Sequence, residues 1–213
     1  MSRIAISTLL VLLALAAPLR AQQVVDRIVA RVEGDILTLS EIRELGRFQQ
    51  LLEGRAASDE KLLQQLLEQW IVQSEATASR FPQPSPEEVQ SELARIQKEF
   101  ASPEAYRARL RELGLTEAAL RRFLERQLYF ARFLDYRFRP GVQAEPAEVE
   151  KYYQEELVPR LTAQKRAVPP LETVEEQIRE LLTQREISLR AARWLEESRS
   201  RLRVEIAPGG VAR

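Results

Sequence analysis

A two-residue hinge, Glu33-Gly34, separates two short apolar runs near the start of this 213-residue chain, and nearly everything after Ser40 has helical periodicity. Ile28, Ala30 and Val32 alternate with Val29 and Arg31, and Ile36, Leu37 and Leu39 follow the hinge. Gly34 supplies the positive φ that a two-residue hairpin needs. Two strands alone are marginal in water and require a third strand or a helix as cover. The only later segment with strand character is 203–207, RVEIA. The sequence therefore predicts that it pairs with the hairpin and brings the two ends of the chain together. The expected fold is mainly α: a multi-helix core with an N-terminal β-hairpin completed by a short C-terminal strand.

Between those ends the start and stop signals are those of helices. Ser40 is a candidate cap for a helix over 41–53. Ser58 or Asp59 opens a second, in which Leu62, Leu63, Leu66, Leu67, Trp70 and Ile71 recur at three and four residues as a core stripe. FPQPSP over 81–86 breaks the chain, because its prolines remove donors and bar the preceding residues from helical angles. Ser85-Pro86-Glu87-Glu88 and Ser102-Pro103-Glu104 each place a cap, a proline at the first helical position and acidic first-turn residues. Gly114 ends one helix and Thr116-Glu117 opens the next, which runs to Phe138 before Pro140-Gly141. Glu145-Pro146 starts another, to about Val158, and a last long helix spans about 173–201. In it Leu181, Leu182, Leu189, Ala192 and Leu195 form a stripe read as core, with Ile187 and Trp194 to one side, placed to pack under the hairpin. A coiled-coil dimer is the other use of that stripe, but Arg185, Glu186 and Ser188 interrupt its seam.

Arg3 precedes an uncharged apolar run over 4–17, followed by Pro18 and Ala21, the layout of a secretory signal peptide. The run is shorter than the roughly twenty residues of a spanning helix, which argues against a stable membrane anchor. Cleavage is expected after Ala21; Leu19 is large for its position, and cleavage after Ala17 stays open. The expected location is the periplasm. Taking Arg3 and Arg20 from 32 basic residues and keeping all 32 acidic ones leaves the mature chain near −2, a balance that selects no partner. With no Cys, an exported chain of about 190 residues must rely on its apolar core. With no His, it lacks the side chain best suited to proton transfer near neutral pH and the commonest metal ligand. No phosphate loop, Gly-x-Ser-x-Gly elbow or metal-spaced cluster is present. The residue pattern offers no catalytic constellation, and no metal or cofactor is expected.

With hairpin, helical body and returning strand in this order, the chain resembles the SurA-like family of periplasmic chaperones, related to the PpiD-like foldases. The resemblance rests on Val24-Val25-Asp26-Arg27-Ile28-Val29-Ala30 through Glu33-Gly34, on Ser40-Glu41-Ile42, on Glu145-Pro146-Ala147-Glu148-Val149-Glu150-Lys151-Tyr152-Tyr153, and on Ala192-Arg193-Trp194-Leu195 followed by Val204-Glu205-Ile206. It implies one chaperone domain over 22–213: hairpin and helical body to 160, a linker over 161–171, and a closing helix and strand over 172–207. Family members commonly insert parvulin prolyl-isomerase domains where this linker stands. Eleven residues cannot hold a domain, which needs about fifty, and the histidines of parvulin sites are missing. The resemblance thus implies an ATP-independent holdase for unfolded or partly folded polypeptides, outer-membrane proteins among them, without isomerase activity. The alternative is an adaptor subunit of an envelope complex that holds one folded partner.

A holdase needs apolar surface rimmed by charge. Phe123, Tyr129, Phe130, Phe133, Tyr136, Phe138, Tyr152 and Tyr153 lie within about thirty positions, more than half of the chain's 7 Phe, 5 Tyr and 2 Trp. Phe123 and Phe130 are read as core. Tyr129, Phe133 and Tyr136 are expected to be partly exposed, because Arg132, Asp135 and Arg137 interrupt their face. These three, with Phe138 and Tyr152, are the candidate peptide-binding residues. The same helix carries Arg121, Arg122, Arg126, Arg132, Arg137 and Arg139 against Glu125 and Asp135. That excess reads as a solvated face or a rim for acidic segments; nucleic acid is not an expected partner, since export takes the chain away from it and the mature chain is not basic.

Overall fold

The computed structural model describes residues 26–208, so the expected export signal and its expected cleavage after Ala21 lie outside the described residues. Strands β1 (Ile28–Val32) and β2 (Asp35–Thr38) pair antiparallel with Val32 opposite Asp35. Both hinge residues take positive φ, Glu33 at 50° and Gly34 at 103°. Two left-handed residues in succession make the turn whose twist matches that of the flanking strands. An irregularity between Ile28 and Ala30 shifts the register, and the consecutive Val29 and Ala30 are both fully buried.

Strand β3 (Val204–Ile206) pairs antiparallel with the other side of β1, Ala30 opposite Ile206 and Val32 opposite Val204, giving the order β2-β1-β3. The ends of the described chain do close onto each other. The hinge helps to hold the closure, because the Arg203 backbone N–H donates to the Glu33 carboxylate at 2.7 Å and the Glu33 N–H donates to the Arg203 carbonyl at 3.1 Å.

The helices are α1 (Leu39–Leu52), α2 (Asp59–Ala78), α3 (Pro86–Gln97), α4 (Pro103–Glu112), α5 (Glu117–Phe138), α6 (Pro146–Tyr152), α7 (Val158–Ala163) and α8 (Leu171–Arg201). Ser85, Ser102 and Thr116 cap α3, α4 and α5 as their sequence signals predict. The cap of α1 is Thr38 and not Ser40: the Thr38 hydroxyl accepts from the Glu41 N–H while the Glu41 carboxylate accepts from the Thr38 N–H at 2.7 Å. Such a reciprocal box needs Glu at the third helical position, and only a start at Leu39 places Glu41 there. Gly46 lets α1 approach α2 closely, since a Cβ at that point would stand 3.2 Å from Leu62 Cδ1.

The helix begun at Pro146 runs past Val158 to Ala163 through one wide turn, Tyr153–Leu157, in which the Val158 N–H bonds to the Tyr153 carbonyl five residues back. Pro159 follows at once, and a proline ring would crowd the carbonyl four residues before it in a regular helix. The connection to α8 is pinned by the Tyr153 hydroxyl, which donates to the Pro169 carbonyl at 2.8 Å.

Helix α8 overturns the expected core stripe. Leu181, Leu189 and Ala192 are exposed, Leu189 by 54%, and Leu195 alone of the five is buried. The buried positions are instead Ile178, Thr183, Ile187, Ala191 and Leu195. From Ile178 to Leu195 seventeen residues turn the helix by about 260° beyond four full turns, which leaves the two positions about 100° apart around its axis. Ile178 packs with Ala144, Val149 and Tyr152 of a small cluster around α6, while Leu195 packs with Ile71, Val72, Ala76, Tyr129 and Phe133 of α2 and α5. One helix thus serves two cores from faces about 100° apart, which no single stripe describes. Trp194 joins the second core against Phe133 and Phe138 and does not lie under the hairpin. The largest cluster joins the sheet to α1, α3, α4 and the first halves of α2 and α5. Among the described residues no helix is long and apolar enough to cross a membrane.

Candidate functional site

Four of the five candidate residues meet in one place, two of them buried and two reaching the surface. Tyr129 and Phe133 are each 2% exposed, against the partial exposure expected of them, Phe138 is half-buried, and Tyr136 is 64% exposed. Phe81, at the start of the proline-rich break, folds back over α5 and lies 5.7, 5.5 and 5.1 Å from the rings of Tyr129, Phe133 and Tyr136. The Tyr129 hydroxyl donates to the Phe81 carbonyl at 3.2 Å. Trp194 covers the cluster from α8. The charged neighbours that suggested exposure are turned outward: Arg137 stacks on Trp194 at 4.7 Å and Arg132 reaches Glu88 at 2.9 Å. Tyr152 stands apart in the α6 cluster, 4% exposed, with the Arg185 guanidinium 5.0 Å from its ring centre.

The arginine excess of α5 is met by carboxylates from several helices. Arg121 pairs with Glu117, Arg132 with Glu88 of α3, and Arg139 with both Asp135 and Glu180 of α8. Twofold hydrogen bonding from Arg139 holds the Glu180 carboxyl down to about 2. Arg137 stands 3.9 Å from Glu75, and among the described residues Arg122 and Arg126 have no ion-pair partner.

One open apolar hollow, of about 420 Å³, is lined by Tyr152 with Leu157, Leu161, Val174 and Leu181; another lies between α1, α2 and α5. A groove of about 360 Å³ is walled by Phe48 and Phe123, whose rings stack at 4.3 Å and 19°, and by Leu37, Leu45 and Tyr129. Leu66, Trp70 and Phe130 stand half-buried in it. A second hollow of about 250 Å³ shares Leu45, Gln69, Phe123 and Phe130 with the first and continues it. Trp70 is fixed by donating its ring N–H to the Asp35 carboxylate of β2 at 2.8 Å. Gln49 is buried and satisfied: its amide donates to Gln65 Oε1 at 2.8 Å and its carbonyl accepts from the Ala57 N–H at 2.8 Å. Those bonds tie α1 to α2 at the groove's end.

Amides edge this groove. Gln65, Gln69 and Gln73 of α2 recur every four residues and Gln127 faces them from α5. Among the described residues the side chains of Gln69 and Gln127 have no hydrogen-bond partner. Each amide can donate and accept at once, which suits a peptide main chain. From Gln65 to Gln73 the helix rises about 12 Å, the span of about four extended residues. Of the proposed residues only Tyr129 lines this groove. Phe48, Trp70, Phe123, Phe130 and the glutamines are not among the candidates the sequence suggests, although the four-residue repeat of Gln65, Gln69 and Gln73 beside Leu66 and Trp70 is a signal present in it. Among the described residues no group of three or more carboxylates is placed to hold a metal ion. In comparisons with known proteins, no family model matches the chain and no curated protein matches it.

Proposed function

We propose that this chain is an ATP-independent periplasmic holdase of SurA-like type, which grips unfolded or partly folded polypeptides, outer-membrane proteins among them, in the groove between α1, α2 and α5. The observation that carries the reading is the groove's make-up: half-buried Leu66, Trp70 and Phe130 offer apolar contact, and unpartnered glutamines beside them offer hydrogen bonds that do not depend on the client's sequence. Such a surface recognises extended chain by greasiness and by backbone, with no chemistry performed on it. Isomerase activity is not part of the proposal, because the connection between α7 and α8 has no room for a catalytic domain and the chain has no histidine.

The test is a light-scattering assay with a denatured outer-membrane protein, run beside a prolyl-isomerase assay. Micromolar chain should suppress aggregation without accelerating isomerisation. Failure to suppress at large molar excess, with saturable binding of one folded envelope protein instead, would replace the holdase by the adaptor.

A further inference from the structure

We infer that the groove selects client segments in which aromatic residues stand next to lysine or arginine; this rests on the holdase reading above. The rim decides it. Glu41, Glu44, Glu53 and Glu68 line the two halves of the groove and Arg126 is the one cation among their lining residues. Glu41 is engaged in the cap of α1. Among the described residues Glu44, Glu53 and Glu68 have no ion-pair partner, whereas the carboxylates Glu88, Glu117, Asp135 and Glu180 around α5 are each paired with arginine. Glu44 and Glu68 are also half-buried beside the apolar floor. Negative charge held against low-dielectric walls focuses a field that draws cations in and disfavours acidic segments.

The floor adds to the same preference. Trp70 and Phe130 present ring surface within the groove, and a lysine or arginine lodged over such a ring and beside a carboxylate is favoured by both. Glutamines on the main chain, rings on the client's aromatics and carboxylates on its cations together define a short, extended, cationic and aromatic segment. A neutral apolar helix from a folded partner would satisfy the floor and leave the three carboxylates and two amides unused.

The test uses the full chain and three fluorescent peptides of equal length and equal aromatic content, flanked by Lys, by Gln or by Glu. At low salt the Lys peptide should bind about tenfold more tightly than the Glu peptide, with the Gln peptide between them. At about 0.5 M salt the spread should shrink to about twofold. The combined variant Glu44→Gln, Glu53→Gln, Glu68→Gln should melt as the parent does and lose the ranking at low salt, binding the Lys, Gln and Glu peptides to within about twofold of one another. Equal affinity for the Lys and Glu peptides, or a ranking that survives in the variant, overturns this inference and leaves the holdase standing. Absence of binding by every peptide overturns both.

Discussion

Replacing Phe48 and Phe123 by leucine, singly and together, measures the contact that joins α1 to α5 across the groove wall. Phe48 is fully buried and Phe123 is 6% exposed, with their rings 4.3 Å apart and nearly parallel. Leucine keeps each site apolar but smaller, a change that costs about 1 kcal/mol per site. Either substitution also removes the stacking, worth about 1 kcal/mol beyond the buried area. Each single variant should therefore lose about 2 kcal/mol, and the double about 3 kcal/mol instead of the additive 4, because the stack is lost only once. With a urea dependence of about 2 kcal/mol per molar for a chain of this size, each single shifts the unfolding midpoint by about 1 M. The assay is urea unfolding followed by circular dichroism, with the slope checked for constancy. Losses that add to within about 0.3 kcal/mol would show that the rings do not cooperate and that other contacts set the groove's width.

Two further substitutions probe parts of the fold that hold the site. Thr38→Ala should cost about 1 kcal/mol through loss of the α1 cap, whereas Ser40→Ala should cost a few tenths at most; equal losses in thermal melts would reject the observed cap. Arg139 joins Asp135 and Glu180 across α5 and α8, and its hydrogen bonds hold both carboxyls below their ordinary range, Glu180 to about 2. A depressed carboxyl contributes stability above its unfolded pKa of about 4 and loses it as pH falls through the folded one. Arg139→Gln should therefore melt below the parent at neutral pH, with the difference fading between about pH 4 and about pH 2. A difference that stays constant down to about pH 2 would contradict the assignment.

What was legible in the sequence was what short-range chemistry decides. Glu33-Gly34, Ser85-Pro86, Ser102-Pro103 and Thr116-Glu117 carry their own turn and cap geometry, and the structure starts its elements there. The returning strand was legible by elimination, since a hairpin needs a partner and only 203–207 could serve. The faces were harder. Leu181 and Leu189 look like core until α8 is known to bury different faces toward its two ends, and that depends on where α5 and α6 lie. Tyr129 and Phe133 look partly exposed until Phe81, forty-eight and more residues earlier, is seen to cover them. The groove was the least legible element, because its floor and rim come from three helices brought together by Phe48 on Phe123 and by Gln49 on Gln65.

Site-specific photo-crosslinking is the most direct measurement of where a client sits. A photoreactive residue at Gln69, in the groove, is compared with one at the exposed Leu189 on α8, far along the chain and outside the groove. With an unfolded outer-membrane polypeptide as client, the Gln69 position should capture it in strong excess and the folded client should not be captured. Equal capture at both positions, or capture at Leu189 alone, would contradict the groove as the binding site.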